Sequence, residues 1–148
     1  QNRTDDGCVV FADLHYMLAL AGANRTDAKA EMAARFARDA AEIGDMSARY
    51  KDPGLAAMDG LNAFSEGRYN DAFSNLAAAR PTMQTIGGSH AQRDVFERMT
   101  IDAGIRAGRV DQAEAILAER LSQRAGNEDR FTATRFASLA DLRRIPAQ

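Results

Sequence analysis

Ile86-Gly87-Gly88-Ser89-His90-Ala91-Gln92-Arg93-Asp94-Val95-Phe96 decides the fold. Adjacent glycines can take the positive φ that stops one helix and turns the chain. Ser89 can then accept from the Gln92 N–H while the Gln92 side chain reaches back, so a capping box is expected to open the next helix. Working outward, the apolar spacing predicts a helix on each side. The preceding one places Phe73, Leu76, Met83 and Ile86 inward, and Pro81 should kink it between 77 and 81 or end it early. The following one buries Val95, Phe96, Met99 and Ala103 and ends at Gly108.

Further out the same punctuation recurs. A sixth helix carries Val110, Ala113, Ile116, Leu117 and Leu121, and Asn127 is expected to cap a seventh with Phe131, Phe136 and Leu139 inward. Toward the N-terminus, Asp52-Pro53 reads as a cap with proline at the first helical position, opening a helix of Leu55, Met58, Leu61 and Phe64 that closes at Gly67. A helix over 8–21 shows Cys8, Phe11, His15 and Leu18 beside Val10, Leu14, Met17 and Ala21, an apolar surface wide enough for burial between neighbours. The second helix has the stripe Met32, Phe36, Ala40 and Ile43. Residues 45–51 read as a polar loop, 1–7 as a frayed start, 8–142 as one helical domain, and 143–148 as a loose tail.

Composition agrees. Across 148 residues, 45% are hydrophobic and 27% charged, with 3 prolines and no tryptophan, which fits an ordinary folded domain. Alanine is abundant and no alternating β-branched run is present, so the fold is expected to be all-α. A net charge of −2 and a pI near 5.7 point away from nucleic acid, whose binders usually carry a basic stripe. Only Lys29 and Lys51 among the 19 basic residues are lysines, a bias expected of a GC-rich bacterial genome. Cys8 is the one cysteine, so no internal disulfide is available. The run from Tyr16 to Ala23 is too short for a bilayer, so no membrane partner is expected and the localisation reads as cytoplasmic. The start at Gln1 reads as that of a fragment or a trimmed chain.

Two segments repeat. Glu66-Gly67-Arg68-Tyr69-Asn70-Asp71-Ala72-Phe73 and Ala107-Gly108-Arg109-Val110-Asp111-Gln112-Ala113-Glu114 share glycine, arginine, an apolar plug, two polar residues and alanine. The alanine should be small because two helices touch there. A weaker copy is expected at Gly22, with a longer turn before Ala28. The pattern resembles the tetratricopeptide repeat, with Gly60 at that repeat's small position. The resemblance implies an α-solenoid of about three hairpins plus a C-terminal capping helix, about seven helices in all. The period from Gly67 to Gly108 is 41 residues, against about 34 for that repeat. Ala56 and Glu97 also replace the aromatic expected early in the first helix.

The opening stretch, with the Gly67-Arg68-Tyr69 turn before it, is similar to the C-terminal part of the tetratricopeptide repeat protein 38 family. Phe11-Ala12-Asp13-Leu14-His15-Tyr16-Met17 is similar to a second stretch of that family. The likeness covers most of this chain but about the last third of such a protein, and it implies fold and modularity rather than a reaction.

Asp13, His15, His90 and Asp94 are the candidates for chemistry. Asp13 and His15 lie two apart on a helix and diverge rather than converge. A hydrogen-bonded histidine between helices is the simpler reading, and neither metal, cofactor nor catalytic residue is expected. Ser89, Gln92, Arg93 and Asp94 are expected to cap the helix and pair with neighbouring helices. Counting back from Gly22, Gly67 and Gly108, groove-facing positions are Tyr16, Leu61, Phe64, Arg98, Asp102 and Arg106. Such residues suit a peptide or protein ligand, unless the rest of a longer chain covers them. The leading expectation is therefore a scaffold for protein–protein or peptide binding, with self-association open. The alternatives are an accessory domain completing an enzyme's site at His15, or a structural solenoid cap.

Overall fold

Apolar residues at helical spacing find their partners largely in chain order. The computed structural model describes residues 10–23 and 25–144, and these are all-α with no strand among them. The elements are α1 (Val10–Gly22), α2 (Thr26–Ala41), α3 (Asp45–Arg49), a π-helical turn (Tyr50–Gly54), α4 (Leu55–Ser65) and α5 (Tyr69–Ala79). A 3-10 segment (Arg80–Ile86), α6 (His90–Arg106), α7 (Val110–Gln123) and α8 (Arg130–Arg144) follow. Seven of the helices are long, and α3 is a five-residue addition. The sequence-expected helix start at Cys8 and the frayed start at 1–7 lie outside the described residues.

Each of α4 to α7 packs on the next helix in the chain, and α1 packs on both α2 and α4. The core of the first half joins Leu14 and Met17 of α1, Met32 and Phe36 of α2, Met58 and Leu61 of α4, Leu76 of α5 and Phe96 of α6. A separate cluster of Ile101, Ala113, Leu117 and Leu139 binds α6, α7 and α8.

The turns repeat in detail. Arg25, Arg68 and Arg109 precede α2, α5 and α7 with φ/ψ of −85/72, −82/67 and −82/56. Each of the three donates its N–H to the carbonyl five residues back, on Leu20 (3.1 Å), Ala63 (2.9 Å) and Gly104 (2.8 Å). That bond satisfies a carbonyl left over at the end of the preceding helix. Gly67 and Gly108, at φ +75 and +72, supply the left-handed residue just before the arginine. The first copy starts later than the sequence suggested. Helix α1 continues to Gly22, which matches Ser65 rather than Gly67, so the turn is no longer than the others. Lys29, not Ala28, then occupies the position of Ala72 and Ala113, its N–H bonded to Arg25 O at 3.0 Å. Ala72 and Ala113 are fully buried. A β-carbon on Gly60 would meet Leu76 at 2.6 Å, and one on Gly104 would meet Ala113 at 3.0 Å.

The opening stretch folds as read. The Gln92 N–H donates to Ser89 Oγ at 3.3 Å and the Ser89 N–H donates to Gln92 Oε1 at 2.8 Å. Gly87 and Gly88 have φ of +93 and +75. Arg93 closes the joint by donating to the carbonyls of Gly87, at 2.9 Å, and Gly88. Pro81 ends α5 early, and Met83 and Ile86 are buried from the 3-10 segment instead.

Four expectations need correction. The loop at 45–51 is instead α3 and the start of the π turn, because Ser47 bonds back to Gly44 O (3.0 Å) and Tyr50 is drawn into the core. The opening at Asp52-Pro53 holds as read, with Asp52 extended (φ −142, ψ 116) and helical backbone running from Gly54 into α4, although the Asp52 carboxylate accepts from Thr82 (3.0 Å). Ile43 is fully exposed, since α2 stops at Ala41 and Glu42 turns extended. Asp129 rather than Asn127 caps α8, its Oδ1 accepting the Thr132 N–H at 2.9 Å. Helix α8 also runs through Arg143 and Arg144, into the stretch expected to be loose.

Candidate functional site

Where a first helix of each hairpin faces away from its mate, its side chains are free to meet a ligand or must be tied down. Most of the six groove positions are tied down. Leu61 is 1% exposed and belongs to the core, so it lines no open groove. Arg98 donates to Asp94 (2.8 Å) and Asp129 (3.3 Å) and lies over the Phe131 ring at 5.0 Å. Asp102 accepts two bonds from Arg135, at 2.6 and 2.9 Å. Arg98 and Asp102 therefore fasten α8 to α6. Phe64 and Arg106 form a second patch at the far end of α6, joined by Tyr69. The Arg106 guanidinium lies 5.5 Å from the Phe64 centroid and 5.0 Å from that of Tyr69, and Nη1 donates to the Tyr69 hydroxyl at 2.7 Å. Tyr16 is half-buried on α1, where it packs against the core of the first half.

The residues singled out for chemistry also separate. His15 donates from Nδ1 to Phe11 O (2.9 Å) and packs between Phe11 and Phe96, with centroids at 4.2 and 5.3 Å. His90 is exposed on the first turn of α6. No three His, Cys, Asp or Glu side chains converge on a metal position among the described residues. Asp13 faces the other way from His15, into the interior. It meets Arg35 at 2.7 Å and accepts from the Tyr50 hydroxyl at 2.6 Å, with all three residues buried. Burial pushes the Tyr50 phenol up to about 12, and Asp13 beside it adds to the rise. A carboxylate so paired is a brace between α1, α2 and the π turn.

Asp94 belongs to a larger network that the sequence did not reveal. Arg120, 2% exposed, donates to both oxygens of Asp94 (2.7 and 2.8 Å), to Asp129 (2.9 and 3.3 Å) and to Thr132 (2.8 Å). Burial pushes the Asp94 carboxyl up, but Arg120 and Arg98 outweigh it and hold it below the usual range. Bonds from Arg120 hold Asp129 well below that range too. Nothing local announces this cluster, because Asp94, Arg120 and Asp129 lie on different elements.

An opening adjoins this network. The chain leaves its α-helical course at Arg80, and a cleft of about 820 Å³ remains between the end of α5, the first half of α6 and the end of α7. Arg80 crosses it, donating to Glu97 at 2.8–3.0 Å and meeting Glu119 at 2.9 Å. Arg80, Arg93, Arg120 and Arg124 line this cleft against Asp94, Glu97 and Glu119, an excess of one positive charge. No helix among the described residues is long and apolar enough to cross a membrane. No protein-family model and no solved structure matches the chain.

Proposed function

We propose that this chain is a tetratricopeptide-like helical-repeat scaffold that binds a protein or peptide and performs no chemistry of its own. The observation that carries this reading is the threefold recurrence of one turn, at Arg25, Arg68 and Arg109, with matching dihedrals and matching hydrogen bonds. A chain that repeats its joints builds a surface from similar units, which is how helical-repeat proteins present ligand-binding faces. The contact patch in this reading is Phe64, Tyr69 and Arg106. Aromatic and arginine side chains are the types that dominate binding energy at interfaces, and Arg106 is exposed.

Chemical cross-linking of the tagged chain in its host, with the captured protein identified, tests the reading. Capture should fall with Arg106→Glu and with Tyr69→Ala while the melting temperature holds. Arg98→Ala is a poor probe of binding, since it loosens α8. Capture unchanged by both Arg106→Glu and Tyr69→Ala would remove this patch from the interaction.

A further inference from the structure

The turn that recurs at Arg25, Arg68 and Arg109 treats its arginine differently each time. Arg68 is neutralised inside its own turn, meeting Glu66 at 2.6 Å and Asp71 at 2.8 Å. The same positions around Arg109 hold Ala107 and Gln112. The backbone is unchanged, with φ/ψ of −92/1 at Glu66 and −83/−1 at Ala107, so the second turn differs by its missing carboxylates. Arg25 lacks them too, but it is exposed and no side chain among the described residues holds it.

Arg109 is held without being neutralised. Its Nε and Nη2 donate to Asn70 Oδ1 at 3.0 and 2.7 Å, and its Nη1 donates to Gln112 Oε1 at 3.3 Å. The guanidinium lies 5.9 Å from the Phe73 centroid. Arg106, the last residue of α6, is held in the same fashion by the Tyr69 hydroxyl and the Phe64 and Tyr69 rings. None of these partners carries charge, and neither arginine meets a carboxylate among the described residues. The acidic side chains of the flanking segments are committed elsewhere: Asp71 to Arg68, Asp102 to Arg135, and Asp111 and Glu114 to Arg143. An arginine fixed by neutral contacts has already given up side-chain freedom, so an arriving carboxylate gains its charge-assisted bond at a smaller entropic cost.

We propose that Arg106 and Arg109, together with the rings of Phe64 and Tyr69, bind the aspartate or glutamate side chains of an acidic peptide segment in a partner protein. This inference rests on the scaffold reading and gives the partner its chemistry. Charge complementarity selects the occupant, because two ordered cations stand here without counter-charges. Phe64 and Tyr69, both half-buried, offer apolar surface beside them for a neighbouring apolar side chain of the same segment. A nucleic acid is a poorer occupant, since the chain carries a net charge of −2 and two arginines make no basic stripe.

The probe is a short synthetic peptide, blocked at both ends, with glutamates on either side of a Leu-Phe pair. It is titrated at low ionic strength into the isotope-labelled 148-residue chain and followed by amide and arginine Nε–H chemical shifts. Saturable shifts should centre on Arg106, Arg109 and residues 64–70. The same peptide with glutamine in place of glutamate should bind at least about tenfold more weakly. A sharper variant restores the missing carboxylates while keeping both arginines. Ala107→Glu with Gln112→Asp gives Arg109 the counter-charges that Arg68 has, and should weaken binding at least about fivefold with no fall in melting temperature. Absence of saturable shifts at Arg106 and Arg109, or affinity indifferent to that double variant, overturns the proposal. An oligothymidylate that binds these arginines more tightly than the glutamate peptide would overturn it in favour of a nucleic acid. Equal binding of the glutamate and glutamine peptides at Phe64 and Tyr69 would refute the acidic partner while leaving the scaffold reading intact.

Discussion

Replacing Gly88 by alanine should be among the most damaging single-methyl changes in this chain, and the structure separates its causes. Gly88 has φ +75, where an L side chain costs about 1–2 kcal/mol. Its new β-carbon would also stand 2.5 Å from Cε2 of Phe11, so the ring must move or the joint must open. Overpacking of this kind costs about 1–3 kcal/mol, for a total of about 2–5 kcal/mol. Gly87 is the internal control. At φ +93 and ψ −163 it is strained for any other residue by about 1–3 kcal/mol, yet a β-carbon there meets nothing within 4 Å. Urea melts of Gly88→Ala, Phe11→Ala and the double variant form a cycle, with Gly87→Ala run in parallel. The Gly88/Phe11 pair should show a coupling of about 1–3 kcal/mol, the overpacking share, because removing the ring removes the clash. The Gly87/Phe11 pair should be additive within about 0.5 kcal/mol. Additivity at Gly88 would mean that α1 does not lean on this joint, and would refute the placement of the first hairpin against α6.

Three further outcomes follow from the packing. Ala72→Leu and Ala113→Leu should each destabilise by about 1–3 kcal/mol, while Arg124→Leu stays within about 0.5 kcal/mol, all read from denaturant midpoints; equal effects at the three sites would reject the shared small position. Ser89→Ala should cost about 0.5–2 kcal/mol and His90→Ala, on an exposed residue, less than about 0.5 kcal/mol; a large loss at His90 in the same melts would count against its place outside any network. Arg120→Met strands Asp94 and Asp129 and should cost about 1–3 kcal/mol at neutral pH. Both carboxyls are depressed in the folded state, so their stabilisation is full above the ordinary carboxylate pKa and is lost as pH falls through it toward the folded values. The acid-labile part of the melting temperature between about pH 5 and pH 2 should therefore shrink in Arg120→Met, and an unchanged acid profile would show that the network is not what titrates.

What could be read from the sequence was local. The Ser89–Gln92 cap, the early end of α5 and the alanines Ala72 and Ala113 of the two later turns are encoded within a few residues, and each lies where the pattern placed it. Several of the misreadings come from contacts that span the chain. Helix α3 has five residues and no apolar stripe, and the neighbouring π turn is held partly by Tyr50, whose hydroxyl seeks a carboxylate 37 positions away. Ile43 kept the helical spacing of its stripe, but spacing does not reveal that the helix has already stopped at Ala41. Counting along a first helix selected Arg98 and Asp102 for a groove, and it could not foresee that α8 would arrive to claim both through Asp129 and Arg135. Asp94 was rightly expected to pair with a neighbouring helix, though Arg120 could not be named as its mate.

The recurrence of one turn at Arg25, Arg68 and Arg109 also makes the chain divisible at chosen seams. A break placed just before Arg68 or just before Arg109 falls between residues of like conformation, so the segment 68–108 begins and ends on equivalent joints. Copied once in tandem, it would bring a duplicate of α5 against the end of α6, where Gly104 would stand toward the incoming Ala72 as it now stands toward Ala113. The length of such a protein would then be set by how many blocks are inserted, with each new boundary already written in the old ones. Lengthening by whole units reuses the same turns, but it puts Ala79 of the copy where Arg120 now meets Asp94, so each added block must also resupply a partner for that carboxylate.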